Sequence, residues 1–253
     1  MEVTCQDYDK DIEEQGLECQ RSHYYEPPPG SFWDMRILRC LDKIGPSPAD
    51  LILDVGCGVG TLAFHAARRG AKCIGVDYSM KSIEAAYHLS AQYTKQGWVQ
   101  FLVASAEELP FSDNTFSKII AADFVEHILD NDKTTLFREI LRVLNRNGRF
   151  IVFTDNLNYE RLVTTLRNIR NRILKKKVVT LTDKNPLHVG LITAAACARR
   201  LEEAGLTVER TEFFPNELSR LYQHMPRTAR LLSKTPVLRR LVAQNFLLCA
   251  YKR

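Results

Sequence analysis

The sequence predicts an α/β domain built on a mostly parallel sheet with helices on both faces. From position 51 onward, apolar strand patterns alternate with helix patterns, which is typical of parallel strands joined by crossover helices. The unbroken apolar run at 51–55 is typical of a buried strand, and Gly56, Gly58 and Gly60 follow it directly. With 253 residues and 45% apolar side chains, the chain can form one such domain and a modest appendage.

Each element is predicted from its local pattern. Positions 27–30, Pro-Pro-Pro-Gly, exclude helix and central strand, and the helix pattern at 31–44 follows them. Strands are predicted at 51–55, 72–77, 99–104, 118–123, 149–154, 206–213 and 244–251. Further helices are predicted at 61–70, 80–94, 132–145, 158–176 and 193–204, and a turn at 145–147. We interpret residues 1–45 as an amino-terminal cap segment and 46–253 as the main domain, with a cap insertion at about 156–190.

The glycine loop and the end of the second strand predict a nucleotide-like ligand. Glycine lets the backbone turn sharply and lie close to a ligand, and the next helix begins with unpaired N–H groups. Asp77 ends the second strand, where a carboxylate can accept hydrogen bonds from both hydroxyls of a ribose. The spacing Gly56-x-Gly58-x-Gly60 differs from the dinucleotide fingerprint, Gly-x-Gly-x-x-Gly.

The pattern Asp54-x-Gly-x-Gly-x-Gly, followed by Gly-Val-Asp-Tyr-Ser at 75–79, resembles the class I S-adenosylmethionine-dependent methyltransferases. The resemblance implies a Rossmann-like fold, a seven-stranded sheet and S-adenosylmethionine as cofactor. The cofactor-binding positions that it implies are Asp54, Gly56, Cys57, Gly58, Gly60, Asp77, Tyr78, Ser79, Ser105, Ala106 and Ala122. The family usually has Asp-Ala where this chain has Ser105-Ala106, so we expect weaker cofactor binding. A tight strand-to-helix turn in another doubly wound fold is the alternative.

The amino-terminal segment carries aromatic residues and an arginine that the resemblance places near the cofactor. In similar enzymes this segment folds over the cofactor, and Arg36 would pair with the methionine carboxylate. Tyr24, Tyr25 and Trp33 would form an aromatic wall around the substrate or the sulfonium. Plain packing of this appendage is the alternative interpretation.

The motif Ala-Asp-Phe-Val-Glu-His-Ile at 122–128 ends the fourth strand, at the edge where this fold places the methyl donor. It is similar to the Glu-x-x-Glu-His motif of the ubiquinone-biosynthesis O-methyltransferases, which is associated with a divalent metal. Matched residue by residue, the ligands are Asp123, Glu126 and His127, and they suit Mg²⁺. Related enzymes without a metal use the histidine as a base or to orient the substrate, and a histidine that only caps the turn is the third interpretation.

His127 and His188 are the candidate catalytic bases, because a histidine suits removal of a proton from a hydroxyl near neutral pH. His188 precedes the last crossover helix, which it would otherwise cap. We therefore expect methylation of an oxygen on a small lipophilic or aromatic acceptor. A carbon or nitrogen acceptor stays open, because no pattern identifies the nucleophile. A module that binds the cofactor without catalysing transfer also stays open, because Ser105 and Ser117 stand at positions where the family commonly has acidic residues.

The net charge of +5 is unevenly distributed. Residues 161–177 include seven basic side chains and no acid, and Leu162, Leu166, Ile169 and Ile173 form one helical stripe among them. This pattern indicates either a cap helix whose stripe packs on the core, or a helix that contacts anionic lipid and delivers a lipophilic acceptor. Nucleic acid is not expected, since no aromatic residues alternate with the arginines.

Three features predict a cytoplasmic protein, with peripheral membrane contact as a possible addition. No apolar run approaches the roughly 20 residues of a membrane span. The acidic amino terminus lacks an apolar signal region. The seven cysteines are scattered without a Cys-x-x-Cys pair, so we expect reduced thiols.

Overall fold

The computed structural model describes residues 4–92, 97–183, 185–215 and 235–253, and contains a seven-stranded sheet. The strands are β1 Leu51–Val55, β2 Lys72–Asp77, β3 Trp98–Val103, β4 Phe116–Ala122, β5 Leu144–Asp155, β6 Thr207–Phe214 and β7 Asn245–Tyr251. Their order across the sheet is β3-β2-β1-β4-β5-β7-β6. The sheet is mixed, because β7 runs antiparallel to both β5 and β6. All seven predicted strands are present.

The helices of the main domain also match the prediction closely. The helices are α1 Cys5–Gln15, α2 Leu17–Gln20, α3 Phe32–Ile44, α4 Thr61–Arg68, α5 Met80–Ala91, α6 Lys133–Val143, α7 Leu157–Ile173, α8 Ala194–Glu203 and α9 Pro236–Val242, with a π-helical turn at Arg21–Tyr25 and a 3-10 turn at Val125–His127. The prediction missed α1, α2 and α9. Positions 93–94 of the predicted helix 80–94 lie outside the described residues.

One boundary was predicted wrongly. The helix predicted to continue to 145 ends at Val143, because β5 begins at Leu144 rather than at 149. Asn147 has left-handed backbone, with φ 58°, but the predicted turn at 145–147 is part of the irregular start of β5.

Side chains alternate between the two faces of the sheet and build a core on each side. On one face, strand residues such as Ile52 and Ile120 pack against α3, α4 and α5. On the other face, Leu53 and Ile119 pack against α6 and α8. The predicted helices on both faces are therefore confirmed. Although α3 lies within the predicted cap segment 1–45, its buried residues belong to the first of these cores.

The order of the strands reverses between β1 and β4, which are neighbours in the sheet and run parallel. In a doubly wound sheet, the helices that follow the two strands at such a reversal pack on opposite faces of the sheet. A crevice therefore opens between them, outside the carboxyl ends of the strands. Residues that directly follow β1, β2 and β4 therefore converge on one place.

The apolar stripe of α7 does not pack on the core as the cap-helix interpretation expected. Of the four stripe residues, Leu162 is half-buried, whereas Leu166, Ile169 and Ile173 are exposed. The buried side of the helix instead carries Tyr159 and Asn171. Within the described ranges, no helix combines the length and the hydropathy that a membrane span requires.

Candidate active site

A cavity of about 880 Å³ lies at the carboxyl edge of the sheet, in the crevice between β1 and β4. The predicted site residues that line it are Arg36, Asp54, Gly56, Cys57, Gly58, Asp77, Tyr78, Ser105, Ala106, Ala122, Asp123, Glu126, His127 and His188. The fold thus brings together positions from the amino-terminal segment, four strand ends and the cap insertion.

The glycine loop lies against the cavity, and two of its residues need glycine for different reasons. Gly56 (φ 65°) and Gly58 (φ 51°) both have left-handed backbone, which disfavours side chains. A Cβ on Gly56 would lie 2.1 Å from Cδ2 of Phe124, so this glycine is needed for packing. A Cβ on Gly58 would have no atom within 4 Å and would enter the open cavity. The loop therefore forms a cradle in which a ligand can contact the backbone at Gly58.

Asp77 is held at the end of β2 by two backbone donors. Its Oδ2 accepts from the N–H of Gly58 at 2.9 Å, and its Oδ1 accepts from the N–H of Ser79 at 2.9 Å. Burial raises the pKa of this carboxyl group above its usual range. The carboxylate thus connects the glycine loop to the start of α5, at the position expected to bind a ribose.

Asp54 performs a similar structural task one strand away. It is 3% exposed and accepts from the N–H of Ala63 at 3.0 Å, which joins the end of β1 to α4. Burial raises the pKa of Asp54 to about 7. Its charge therefore changes near neutral pH.

Gly60 and Ser79 were predicted to bind the cofactor, but the structure places neither on the cavity wall. Gly60 precedes α4 with φ 82°, and a Cβ there would lie 2.4 Å from Cε1 of Phe101, on the sheet side. The hydroxyl of Ser79 caps α5 by accepting from the N–H of Ser82 at 3.0 Å. Both residues shape the loops behind the cavity.

Arg36 is a buried cation at the cavity wall, as the resemblance implied, but its main partner is a residue of the predicted metal site. Its Nε forms an ion pair with Asp123, and its Nη2 donates to the carbonyl of Ala122 at 3.4 Å. Nη1 has no hydrogen-bond partner within the described part of the chain. A buried donor without a partner fits the carboxylate of a ligand such as the methionine end of S-adenosylmethionine.

The two histidines predicted as bases lie side by side at the cavity. Their ring centroids are 4.9 Å apart with an interplanar angle of 84°. Nδ1 of His127 lies 3.0 Å from the carbonyl oxygen of Leu187, so Nδ1 carries the proton and the lone pair of a neutral ring is on Nε2. Nδ1 of His188 lies 3.5 Å from Oδ2 of Asp155, which favours the same tautomer.

A cation site is possible here, but with a different set of ligands from the predicted one. The ligand atoms of Glu126, His127 and His188 all lie within 4.8 Å of one another. Asp123 is not part of this group, because its left-handed backbone (φ 51°) accompanies a turn toward Arg36. The group that the structure brings together thus differs from the predicted set of Asp123, Glu126 and His127 in one member.

The environment of Glu126 makes this residue a weak ligand for a cation. The residue is 1% exposed, and its carboxyl group accepts from the hydroxyl of Thr154 at 2.6 Å. Burial raises its pKa well above the usual range. Burial thus disfavours the charged carboxylate, which is the form that binds a cation strongly.

Sequence reasoning missed the role of α1, which closes one side of the cavity. The ring of Tyr8 packs edge-on against Tyr78 and against His127, with centroids 5.4 Å apart in each pair. Oδ1 of Asp9 accepts from the hydroxyl of Ser79 at 2.6 Å, which joins α1 to α5. No spacing or motif in the first fifteen residues indicates these contacts.

Asp155 was also missed, although a signal for it exists. It is the last residue of β5, a parallel strand whose carboxyl end must face the same edge as Asp54 and Asp77. Of the predicted aromatic wall, Tyr24 and Trp33 line the cavity, with centroids 4.9 Å apart. Tyr25 does not, because it is 1% exposed and donates to the carbonyl of Val59 at 2.7 Å.

Comparison with known proteins gives a match over the central part of the chain. Residues 53–152 match the family described as "Methyltransferase domain". The matched segment runs from β1 to β5 and includes the glycine loop, Asp77 and His127. The matched residues cover about two fifths of the chain.

Relatives of the chain include enzymes with different acceptor atoms. Norajmaline N-methyltransferase from Rauvolfia serpentina is 27% identical over 144 residues, which are 56% of this chain and 48% of that protein. The chloroplastic tocopherol O-methyltransferase from Arabidopsis thaliana is 34% identical over 104 residues, 41% of this chain and 29% of that protein. The matches thus span less than half the length of these curated relatives.

The fold of the chain also occurs in solved structures. The crystal structure of the YcgJ protein from Bacillus subtilis superposes with a TM-score of 0.60 at 20% identity, covering 87% of this chain and 98% of that one. At this level of identity the likeness shows the fold alone.

Proposed function

We propose that this protein transfers a methyl group from S-adenosylmethionine to an oxygen atom of a small lipophilic or aromatic acceptor. The observation that carries the proposal is the pair of histidines at the cavity, one of them beside Asp155. Methylation of a hydroxyl requires removal of its proton, and a neutral imidazole is suited to that step.

The residues around the cavity suit each part of the cofactor. Gly58 and Asp77 would hold the ribose, Ser105 the adenine amino group and Arg36 the methionine carboxylate. When bound, S-adenosylmethionine supplies an electrophilic methyl group on its sulfonium. The protein's own contribution is then to align the acceptor and to remove its proton.

His188 is the better supported of the two bases. With its proton on Nδ1, the ring accepts the proton of the acceptor hydroxyl at Nε2 and becomes a cation. The carboxylate of Asp155, 3.5 Å from Nδ1, stabilises that cation. His127 has a neutral carbonyl partner instead, which stabilises a cation less. We therefore assign proton removal to His188 and orientation of the acceptor to His127.

The remaining wall favours an aromatic or lipophilic acceptor. The rings of Tyr8, Tyr24, Phe32, Trp33 and Phe124 all line the cavity. Large apolar surfaces of this kind bind planar or aliphatic groups through burial and ring contacts.

The first experiment compares His188→Ala with the control His88→Ala, in which an exposed histidine of α5 is removed. The assay follows formation of S-adenosylhomocysteine with phenols and quinone precursors, while calorimetry measures cofactor affinity. We expect kcat to fall by roughly 10²–10⁴-fold for His188→Ala, with cofactor affinity unchanged. Full turnover in this variant and in His127→Ala would refute a histidine base.

Asp155→Asn provides a more specific readout. Loss of the carboxylate should lower the pKa of His188, so the acid limb of the kcat profile should move to lower pH. An unchanged pH profile would show that Asp155 does not act through His188.

Dependence on Mg²⁺ remains a hypothesis that the comparisons do not support. The ligands would be Glu126, His127 and His188 rather than the set predicted from the motif. Full turnover in the presence of EDTA would exclude a catalytic cation at this site.

A nitrogen acceptor is the second candidate, because relatives include enzymes named as N-methyltransferases. A neutral amine needs no base before it attacks, so turnover of an amine should be nearly insensitive to His188→Ala. A cofactor-binding module without catalysis would bind S-adenosylmethionine, yet form no S-adenosylhomocysteine with any acceptor or lysate fraction.

A further inference from the structure

The outer surface of α7 combines exposed apolar residues with positive charge. We call this surface the α7 face. Its apolar members are Leu166, Ile169 and Ile173, and its basic members are Arg161, Arg170 and Arg172, all of which are exposed. The neighbouring helix α9 adds exposed Leu238, Leu241, Arg239 and Arg240.

The direction of the α7 face is determined by hydrogen bonds on the opposite side of the helix. Asn168 accepts from the N–H of Val179 at 2.9 Å, and Asn171 donates to the carbonyl of Lys177 at 2.8 Å. These bonds hold the segment after α7 against that side, so the stripe points away from it. Ile169 is 52% exposed and Ile173 is 76% exposed.

Basic residues flank the stripe on both sides. At roughly 100° per residue, Arg170 lies on one edge of the stripe, and Arg161 and Arg172 lie on the other. Within the described ranges, none of the seven bases at 161–177 takes part in an ion pair, and this stretch contains no acid. The face therefore suits a partner that presents both negative charge and apolar groups.

Two occupants from the chain itself do not meet this requirement. Residues 216–234 contain four basic side chains and one acid, so their charge opposes that of the face. A second copy of the chain would bring the same positive charges against those of the first.

We propose that the α7 face binds the surface of a membrane that contains anionic lipid. The arginines contact the headgroups, while the stripe enters the boundary with the acyl chains. The helix begins two residues after Asp155, and the insertion returns to the cavity at His188. A lipophilic molecule dissolved in the membrane would thus lie near the cavity. Binding itself does not depend on the proposed methyl transfer.

The test is sedimentation of the full chain, without cofactor, with vesicles of phosphatidylcholine alone or mixed with phosphatidylglycerol. We expect binding only to the mixed vesicles, and weaker binding as salt is raised. Replacing Arg161, Arg170 and Arg172 by Gln should lower partitioning on the order of 100-fold. The control replaces exposed Lys72, Arg138 and Arg146 by Gln, which removes the same charge from other surfaces and should have a small effect.

The apolar stripe is tested separately with the double substitution Ile169→Ser and Ile173→Ser. These side chains are exposed, so the thermal unfolding midpoint should change little while vesicle binding falls at least tenfold.

Several results would overturn the proposal: no binding to the mixed vesicles, or an equal loss in the charge variant and its control. Dimers in sedimentation analysis that dissociate in the Ile169/Ile173 variant, without vesicle binding, would identify a second copy as the occupant. Binding of an RNA oligonucleotide without vesicle binding would identify nucleic acid instead.

Discussion

The substitution Asp77→Asn tests how the glycine loop is prepared for its ligand. In the folded protein both carboxylate oxygens of Asp77 accept from backbone N–H groups, one from Gly58 and one from Ser79, each at 2.9 Å. Asparagine has nearly the same shape, but one of its two terminal groups is a donor. That donor must face an N–H group, so one of the two bonds is lost and the other no longer ends on a charged acceptor.

The expected loss follows from the strength of these bonds. A hydrogen bond to a charged group contributes about 1.5–3 kcal/mol. If the loop must restore this arrangement to bind the cofactor, affinity should fall by about 10- to 150-fold. Any direct bond from Asp77 to the ribose would add to this loss.

Titration calorimetry with S-adenosylmethionine and S-adenosylhomocysteine measures the effect. The matched control is Asp113→Asn, which removes a charge from an exposed aspartate that pairs with Arg142. Affinity in the Asp77→Asn protein within twofold of the unmodified chain would refute the assignment of this loop as the cofactor site.

Two further predictions concern stability. Gly56→Ala should lower the free energy of unfolding, measured by urea titration, by about 2–5 kcal/mol, because it adds backbone strain and a clash with Phe124. Gly58→Ala adds the strain without the clash, so it should lower the free energy of unfolding by only about 1–2 kcal/mol and mainly weaken cofactor binding. Equal destabilisation by the two would contradict this difference. Burial raises the pKa of Asp54 from 3.8 to about 7, so the folded protein holds a proton that the unfolded chain releases in this range. The free energy of unfolding should therefore fall as pH rises from about 4 to 7, and Asp54→Asn should remove up to about 4 kcal/mol of that change. An identical pH dependence in the variant would show that Asp54 titrates normally.

The sheet and the cofactor loop could be predicted because their signals are local. A buried parallel strand is a short apolar run, and a crossover helix repeats its apolar residues every three to four positions. Because consecutive parallel strands end at the same edge, Gly58, Asp77 and His127 could be assigned to one site without a structure.

The errors arose where long-range packing decides the outcome. Nothing near Arg36 in the sequence indicates that its partner is Asp123, and this ion pair changes the candidate cation ligands. The hydroxyl of Ser79 is committed to α5 and to Asp9, a residue seventy positions earlier. Whether the apolar stripe of α7 is covered depends on which elements pack beside the helix. The sequence pattern of α7 was therefore compatible with both a helix packed on the core and a helix at a membrane surface.

The sequence by itself therefore determined the fold class, the glycine loop and the edge of the sheet at which the candidate site lies, because these follow from backbone geometry and residue periodicity. Only the tertiary structure decided that Asp155 lies beside His188, that α1 closes the cavity beside His127, and that the apolar stripe of α7 faces outward. Each of these depends on contacts between residues far apart in the chain, which packing selects and local patterns do not record.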